Sequence, residues 1–398
     1  MKIYTKKFIS KRRVALLIFL LTLFTAYLFK MPLQIVNAKN DGETSLNESV
    51  TEQLENLDLQ ALQQYIQSLE AFENADVAER ILSYIKGESV SYGNFFKNIG
   101  DVIFKNVENL FPAIACIIAV SLICGLTTHF QSGKLAASSN VIFLVAYTAA
   151  LIPLLTIVTE CFAESKKAVE EMQKQMQIVF PILLTLMSAS GGSVSASICR
   201  PAVAFLSTNI VNTISEIVFP ITLAVIAFSM IDHLSNDLKF GKFTAFLKSI
   251  NKWIVGVCVS VFGLFFTVQG ISAASYDGIA RRAAKYAIGS GVPIVGGFLS
   301  GGFDLAVAGS ALIKNALGNM SVFLMVAVVF EPMILLISTN LLLRLTAAIT
   351  QPLGDGRLAN FLSETADNLN YCVAGILFTA FLYFVCIVLL VCLSEAFV

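Results

Sequence analysis

From Leu110 onward the chain is a succession of apolar runs, each long enough to cross roughly 30 Å of hydrocarbon. They are Leu110 to Thr128, Val141 to Thr159, Ile178 to Ile198, Ala202 to Ile231, Trp253 to Ala274, Val292 to Ile313, Met320 to Leu343 and Tyr371 to Leu393. The pattern predicts an all-α, polytopic membrane protein with seven or eight crossings. Two runs are interrupted: Ile178 to Ile198 by Ser188-Ala189-Ser190-Gly191-Gly192-Ser193, and Val292 to Ile313 by Gly296, Gly297, Gly301 and Gly302 with Asp304 among them. Each reads as a broken or re-entrant helix. Irregular backbone at membrane depth survives only where protein or a wet cavity satisfies its polar groups.

The pattern differs before Leu110. Lys2, Lys6, Lys7, Lys11, Arg12 and Arg13 precede an apolar run from Val14 to Phe29, and Val36-Asn37-Ala38 offers small residues where a signal peptidase reads. This is the layout of an export signal over residues 1–38, cut after Ala38; an uncleaved anchor closed by Lys30 is the competing reading. Residues 39–108 carry 13 acidic and 5 basic side chains, a net of −8, and are expected to be water-exposed. Leu54, Leu57, Leu62, Ile66 and Leu69 recur at helical spacing, as do Val77, Ile81, Leu82 and Ile85 before Gly87, predicting two or three amphipathic helices. Between Tyr92 and Val107 a further apolar face suits either headgroups and a partner or the other helices of the same segment.

The polytopic domain then runs over residues 109–398. Sliding the chain by 112 residues superposes Pro181-Ile182 on Pro293-Ile294, Ser188 on Ser300 and Pro220 on Pro332, suggesting repeat units at 141–231 and 253–343. With three crossings each, the second unit would run inverted, and paired interrupted helices in such repeats point to a transport site near the midplane. The competing explanation is coincidence among nine prolines in an apolar chain. Eight crossings put Arg200, Arg281, Arg282, Lys285, Arg344 and Arg357 inside, as the positive-inside tendency prefers, but leave Lys239, Lys242, Lys248 and Lys252 outside.

Composition narrows the function classes. Hydrophobic residues make up 56% of the 398 and charged residues 14%, about half the soluble norm of roughly 25%. Twenty-seven basic residues balance 27 acidic ones, so no global positive field exists to hold nucleic acid. The eight cysteines, at 116, 124, 161, 199, 258, 372, 386 and 392, form no C-x-x-C pair and read as apolar packing residues. No phosphate-binding loop, nucleophile elbow, H-E-x-x-H or dinucleotide fingerprint is present. The expectation is therefore a protein that is not an enzyme and needs no cofactor or metal, with membrane lipid as its immediate partner.

The candidate path or transport residues are the ionisable and Gly/Ser positions inside the apolar runs: Glu331, Glu216 and Asp304, with Ser190, Gly191, Gly192, Gly301 and Gly302 at the breaks. A charge at mid-membrane costs roughly 2.5–3.5 kcal/mol, so each should face protein or water. Glu331 precedes Pro332, where the missing backbone donor can open a polar pocket; alternatively it pairs with Arg344. Gly297 and Gly301, spaced as G-x-x-x-G, suit close helix packing better than a ligand. His233, after Asp232, and His129 suit a membrane edge better than a proton relay.

At Phe265-Phe266-Thr267-Val268-Gln269-Gly270, continuing through Ala274-Ser275-Tyr276-Asp277-Gly278 and Arg281-Arg282-Ala283-Ala284-Lys285-Tyr286 into Pro293-Ile294-Val295-Gly296-Gly297, the sequence resembles the stage III sporulation protein AE family. The layout of signal, exposed helical segment and multi-spanning remainder agrees along nearly the whole chain. The resemblance implies a subunit of the secretion-like sporulation channel of endospore-forming bacteria, in the mother-cell membrane around the engulfed forespore and required for forespore development. The partners it implies are other stage III sporulation membrane proteins, a secretion-type ATPase and ring-forming proteins. It carries over no catalytic residue. A free-standing small-solute transporter, with its site at the two broken helices, is the alternative.

Overall fold

The computed structural model describes residues 48–55, 57–68, 77–85, 99–130, 136–234, 240–264, 296–353 and 356–392. The predicted signal at 1–38 and the Phe265 to Val295 stretch that carries the resemblance, with Arg281, Arg282 and Lys285, lie outside them. Among the described residues the regular structure is helical, as the periodicity predicts.

Three short helices come first: α1 over 48–55, α2 at Gln60–Gln67 and α3 at Val77–Ile85. Of the predicted apolar faces, Leu54, Leu62, Ile66, Val77 and Ile81 are buried, joined by Val50, and Leu69 lies outside the described residues. They do not pack as a separate body. Their buried residues join one continuous core with the long helices, because three helices of eight or nine residues cannot sequester their apolar faces alone.

The long helices are α4 at Ile99–Phe130 and α5 at Ala136–Ala189, followed after a turn by α6 at Ser193–Phe205 and α7 at Phe219–Leu234. Two π-helical stretches, Leu206–Ile210 and Ile214–Val218, join α6 to α7. Then come α8 at Gly241–Leu264, α9 at Gly296–Leu353 and α10 at Gly356–Cys392. Residue 108 lies inside α4, so the exposed segment runs into the first apolar run without a break.

Among the described residues six helical runs are long and apolar enough to cross a membrane, where the sequence pattern gives seven or eight crossings over the whole chain. Two pairs of predicted crossings have fused. Glu160 to Gln177, polar but rich in strong helix formers, continues α5 through 54 residues, about 81 Å. Lys314 to Asn319 likewise continues α9 through 58 residues. The two Gly/Ser interruptions also differ. Ser190 to Gly192 is a true turn, with Gly191 at φ 93°, in the left-handed region that suits glycine. The backbone from Gly296 through Gly297, Gly301, Gly302 and Asp304 is the unbroken start of α9, so that run is neither broken nor re-entrant there. The 112-residue offset therefore lays the turn of the first unit on continuous helix in the second.

The long helices make two hairpins that clasp in opposite directions. In the first, α5 folds back at Gly191 on α6 and α7; in the second, α9 folds back on α10. Phe361, near the second turn, meets Tyr147 and His233 at the open end of the first hairpin, with ring centroids 5.9 and 5.8 Å apart. Phe180, near the first turn, meets Tyr383 toward the open end of the second at 5.4 Å. The Cys161 thiol, 3.6 Å from Thr339 Oγ1, ties α5 to α9 between these levels. Cys161, Cys199, Cys258, Cys372 and Cys386 are buried and in no disulfide, the packing role their setting predicts, while Cys116 and Cys392 are exposed.

Candidate functional site

A charged group with several partners lies where α7, α8 and α10 meet. Glu364 of α10 accepts hydrogen bonds from Lys248 Nζ of α8 at 2.6 Å and from Ser229 Oγ of α7 at 2.7 Å. His233 Nε2 stands 3.9 Å from the same carboxylate, and its Nδ1 is 2.8 Å from the Ser229 carbonyl, which fixes the ring. One turn before Glu364, Phe361 packs against Tyr147, whose hydroxyl donates to the Met230 carbonyl at 2.9 Å. The Lys248 and Glu364 side chains are only 24% and 30% exposed, so their charge-assisted bond is partly desolvated and directional. Chemically the cluster is a clasp: both carboxylate oxygens already accept from the protein.

Part of the lysine segment that the charge count leaves outside lies at this junction, while Lys239 is outside the described residues. Asp232 Oδ1 accepts from the backbone N–H groups of Phe240 and Gly241, satisfying donors at the start of α8. Lys242, Lys248 and Lys252 therefore belong to a helix rather than a loop. Asn251 adds a second anchor, donating to Thr222 Oγ1 at 2.7 Å. His233 is a half-buried member of this junction, where the sequence suggests a membrane edge.

A polar stripe crosses the middle of the first hairpin. Glu216 pairs with Lys166 at 2.9 Å, and Gln173 donates to Asn212 at 2.9 Å; the ionic pair is 61% and 45% exposed. The π-helical stretches widen the turns here, keeping Ile210, Ile214 and Val218 buried while Asn212 and Glu216 reach α5. On the second hairpin Arg344 pairs with Asp367, and Asn340 donates to Asn370 at 3.3 Å. Arg344 is thus engaged by Asp367, not by Glu331, which is exposed on α9 beside the buried Pro332.

The predicted site residues fall into two groups. From the Cys161–Thr339 contact, Glu331 lies about 12 Å along α9 and Ser190 about 43 Å along the antiparallel α5, roughly 30 Å apart on the bundle axis. Glu216 belongs to the middle, and Ser190, Gly191 and Gly192 to the end. Gly301, Gly302 and Asp304 belong to the opening turns of α9.

That end holds polar residues which spacing alone does not mark. Gln53 of α1 donates to the Ala306 carbonyl at 3.0 Å and accepts from Ser310 Oγ at 2.7 Å, latching the short helices to α9. Lys314, one turn beyond Ser310, is fully buried. Its setting between two apolar runs suggests a loop; only the continuity of α9 brings it inside. Tyr65 of α2 sits beside Gln175 and Glu171 of α5, and burial pushes its hydroxyl above the usual phenol range.

A family model described as Stage III sporulation protein AE matches residues 76–394, about four fifths of the chain. The chain belongs to this family. A stage III sporulation protein AE from Bacillus subtilis (strain 168) is 25% identical over 313 residues, covering 78% of each chain. No solved structure matches. The stage III sporulation protein AE match takes in the Glu364 clasp, the polar stripe and both hairpins, and begins just before α3. Gln53 and Tyr65 precede it.

Proposed function

We propose that this chain is a membrane subunit of the multiprotein, secretion-like channel joining mother cell and forespore, seated in the mother-cell membrane and required for forespore development after engulfment. The carrying observation is the family match over residues 76–394. The geometry is compatible with a subunit role: the ionisable and Gly/Ser residues that a transporter would gather at one midplane site are spread over roughly 30 Å along the bundle. The exposed stripe of Lys166, Glu216, Gln173 and Asn212 offers a neighbouring subunit paired charges and amides inside otherwise apolar spans. Other stage III membrane proteins, a secretion-type ATPase that supplies energy and ring-forming proteins are the partners of this reading.

The test is to tag the carboxyl terminus, solubilise membranes gently after engulfment and identify what copurifies. Recovery of the ATPase and ring proteins in fixed proportion is expected. Recovery of the chain alone, or as a homo-oligomer, would replace this reading with a free-standing transporter.

A further inference from the structure

Beneath the latched α2, polar side chains from three elements converge. Tyr65 of α2 is 7% exposed, Gln175 of α5 1% and Tyr383 of α10 0%. Tyr65 neighbours Gln175, Tyr383 and the Glu171 carboxylate of α5, and Ser321 of α9 lies beside Tyr383. The Tyr65 and Tyr383 hydroxyls and both polar atoms of Gln175 make no hydrogen bond of normal geometry to any described residue. Leaving one such atom unpaired is costly, and here four from three helices converge on one place. Buried polar atoms that the protein itself does not pair are the usual partners of an ordered guest molecule.

We propose that Tyr65, Gln175 and Tyr383 form a binding site for a small, uncharged, hydrogen-bonding molecule, covered by the docked N-terminal helices. Two phenolic hydroxyls and one carboxamide supply donors and acceptors, and the carboxylate beside them, Glu171, is already paired with Lys174 at 2.6 Å, which selects a hydroxyl, an amide or water over an ion. The cover is α1 and α2, held by Gln53 on Ser310 and the Ala306 carbonyl. The site is independent of the sporulation-channel reading and lies partly outside the matched family region, since Tyr65 precedes residue 76.

Iodoacetamide, itself a small uncharged amide, is the probe, used on the full chain in membranes with Cys116→Ser, Cys124→Ser and Cys392→Ser, so that the native thiols left are the buried ones. Gln175→Cys is expected to react at least ten-fold faster than Met172→Cys, an equally buried position one turn earlier on α5 that lies in the apolar core. A Cβ at Gly309 would lie 3.5 Å from Ser49 Oγ, so Ser49→Cys with Gly309→Cys can cross-link the cover, and the reaction should then slow at least ten-fold. Equal rates at residues 172 and 175, or a rate indifferent to the cross-link, would overturn the site. Ser321→Cys is the second reporter if Gln175→Cys does not accumulate. Protection by excess glycerol identifies a hydroxyl-bearing solute as occupant; fast reaction without protection identifies water. Tyr383→Phe should lower the unfolding midpoint by removing a bond to the guest, whereas a rise would mark the hydroxyl as an orphan and sink the proposal.

Discussion

A methyl group at Gly375 would sit 2.6 Å from Phe219 Cε1 and 3.0 Å from Ile214 Cγ2, where α10 crosses the π-helical stretch. Gly375→Ala should therefore destabilise the bundle by about 1–3 kcal/mol, read as a lower unfolding midpoint in detergent. Gly256 on α8 has nothing within 4 Å of such a methyl, and Gly256→Ala should instead stabilise by about 0.4–1 kcal/mol. At Glu364, Gln would keep the shape and lose the charge. Glu364→Gln and Lys248→Met should each cost about 1–3 kcal/mol, and the double variant clearly less than their sum; additive losses would mean that the pair does not act as a unit. None of this was legible from spacing. Glu364 finds Lys248 across 116 residues and Ser229 across 135, distances at which only the fold decides neighbours. Periodicity did find Leu54, Leu62, Ile66, Val77 and Ile81, because an amphipathic face is a local property.

Among the elements, α5 shows where hydropathy windows mislead. A charged stretch between two apolar runs looks like a loop, yet Glu, Lys, Gln, Met and Ala favour helix, and nothing between Glu160 and Gln177 ends one. The Ser190-Gly191-Gly192 break was readable because glycine has backbone freedom there; the glycines opening α9 carry the same composition without using it. Gly191→Ala should cost about 1–2 kcal/mol through its left-handed φ and lower the unfolding midpoint. The same change at exposed Gly356, in open space, should cost nothing measurable. Glu331 bears on function: as an exposed residue on a continuous helix, Glu331→Gln should leave spore yield normal, and a severe sporulation defect in a stably accumulating variant would restore the transport reading.

At the scale of the molecule, acidic composition marked residues 39–108 as wet but gave no sign that their helices would dock on α9 and α5. That contact rests on Gln53, Tyr65 and a few aliphatic residues whose partners lie far along the chain. Gln53→Ala with Ser310→Ala should loosen the dock, and limited proteolysis between α2 and α3 should then be several-fold faster than in the parent. The opposed hairpins carry a mechanical consequence. Each turn is seated beside the open end of the other hairpin, so a pull along the bundle axis loads the long interfaces in shear. Their contacts then resist together instead of peeling one after another from a free end. A clasp of this geometry holds best against tension along its own length, the direction in which a subunit tethered on the two sides of a membrane would be pulled.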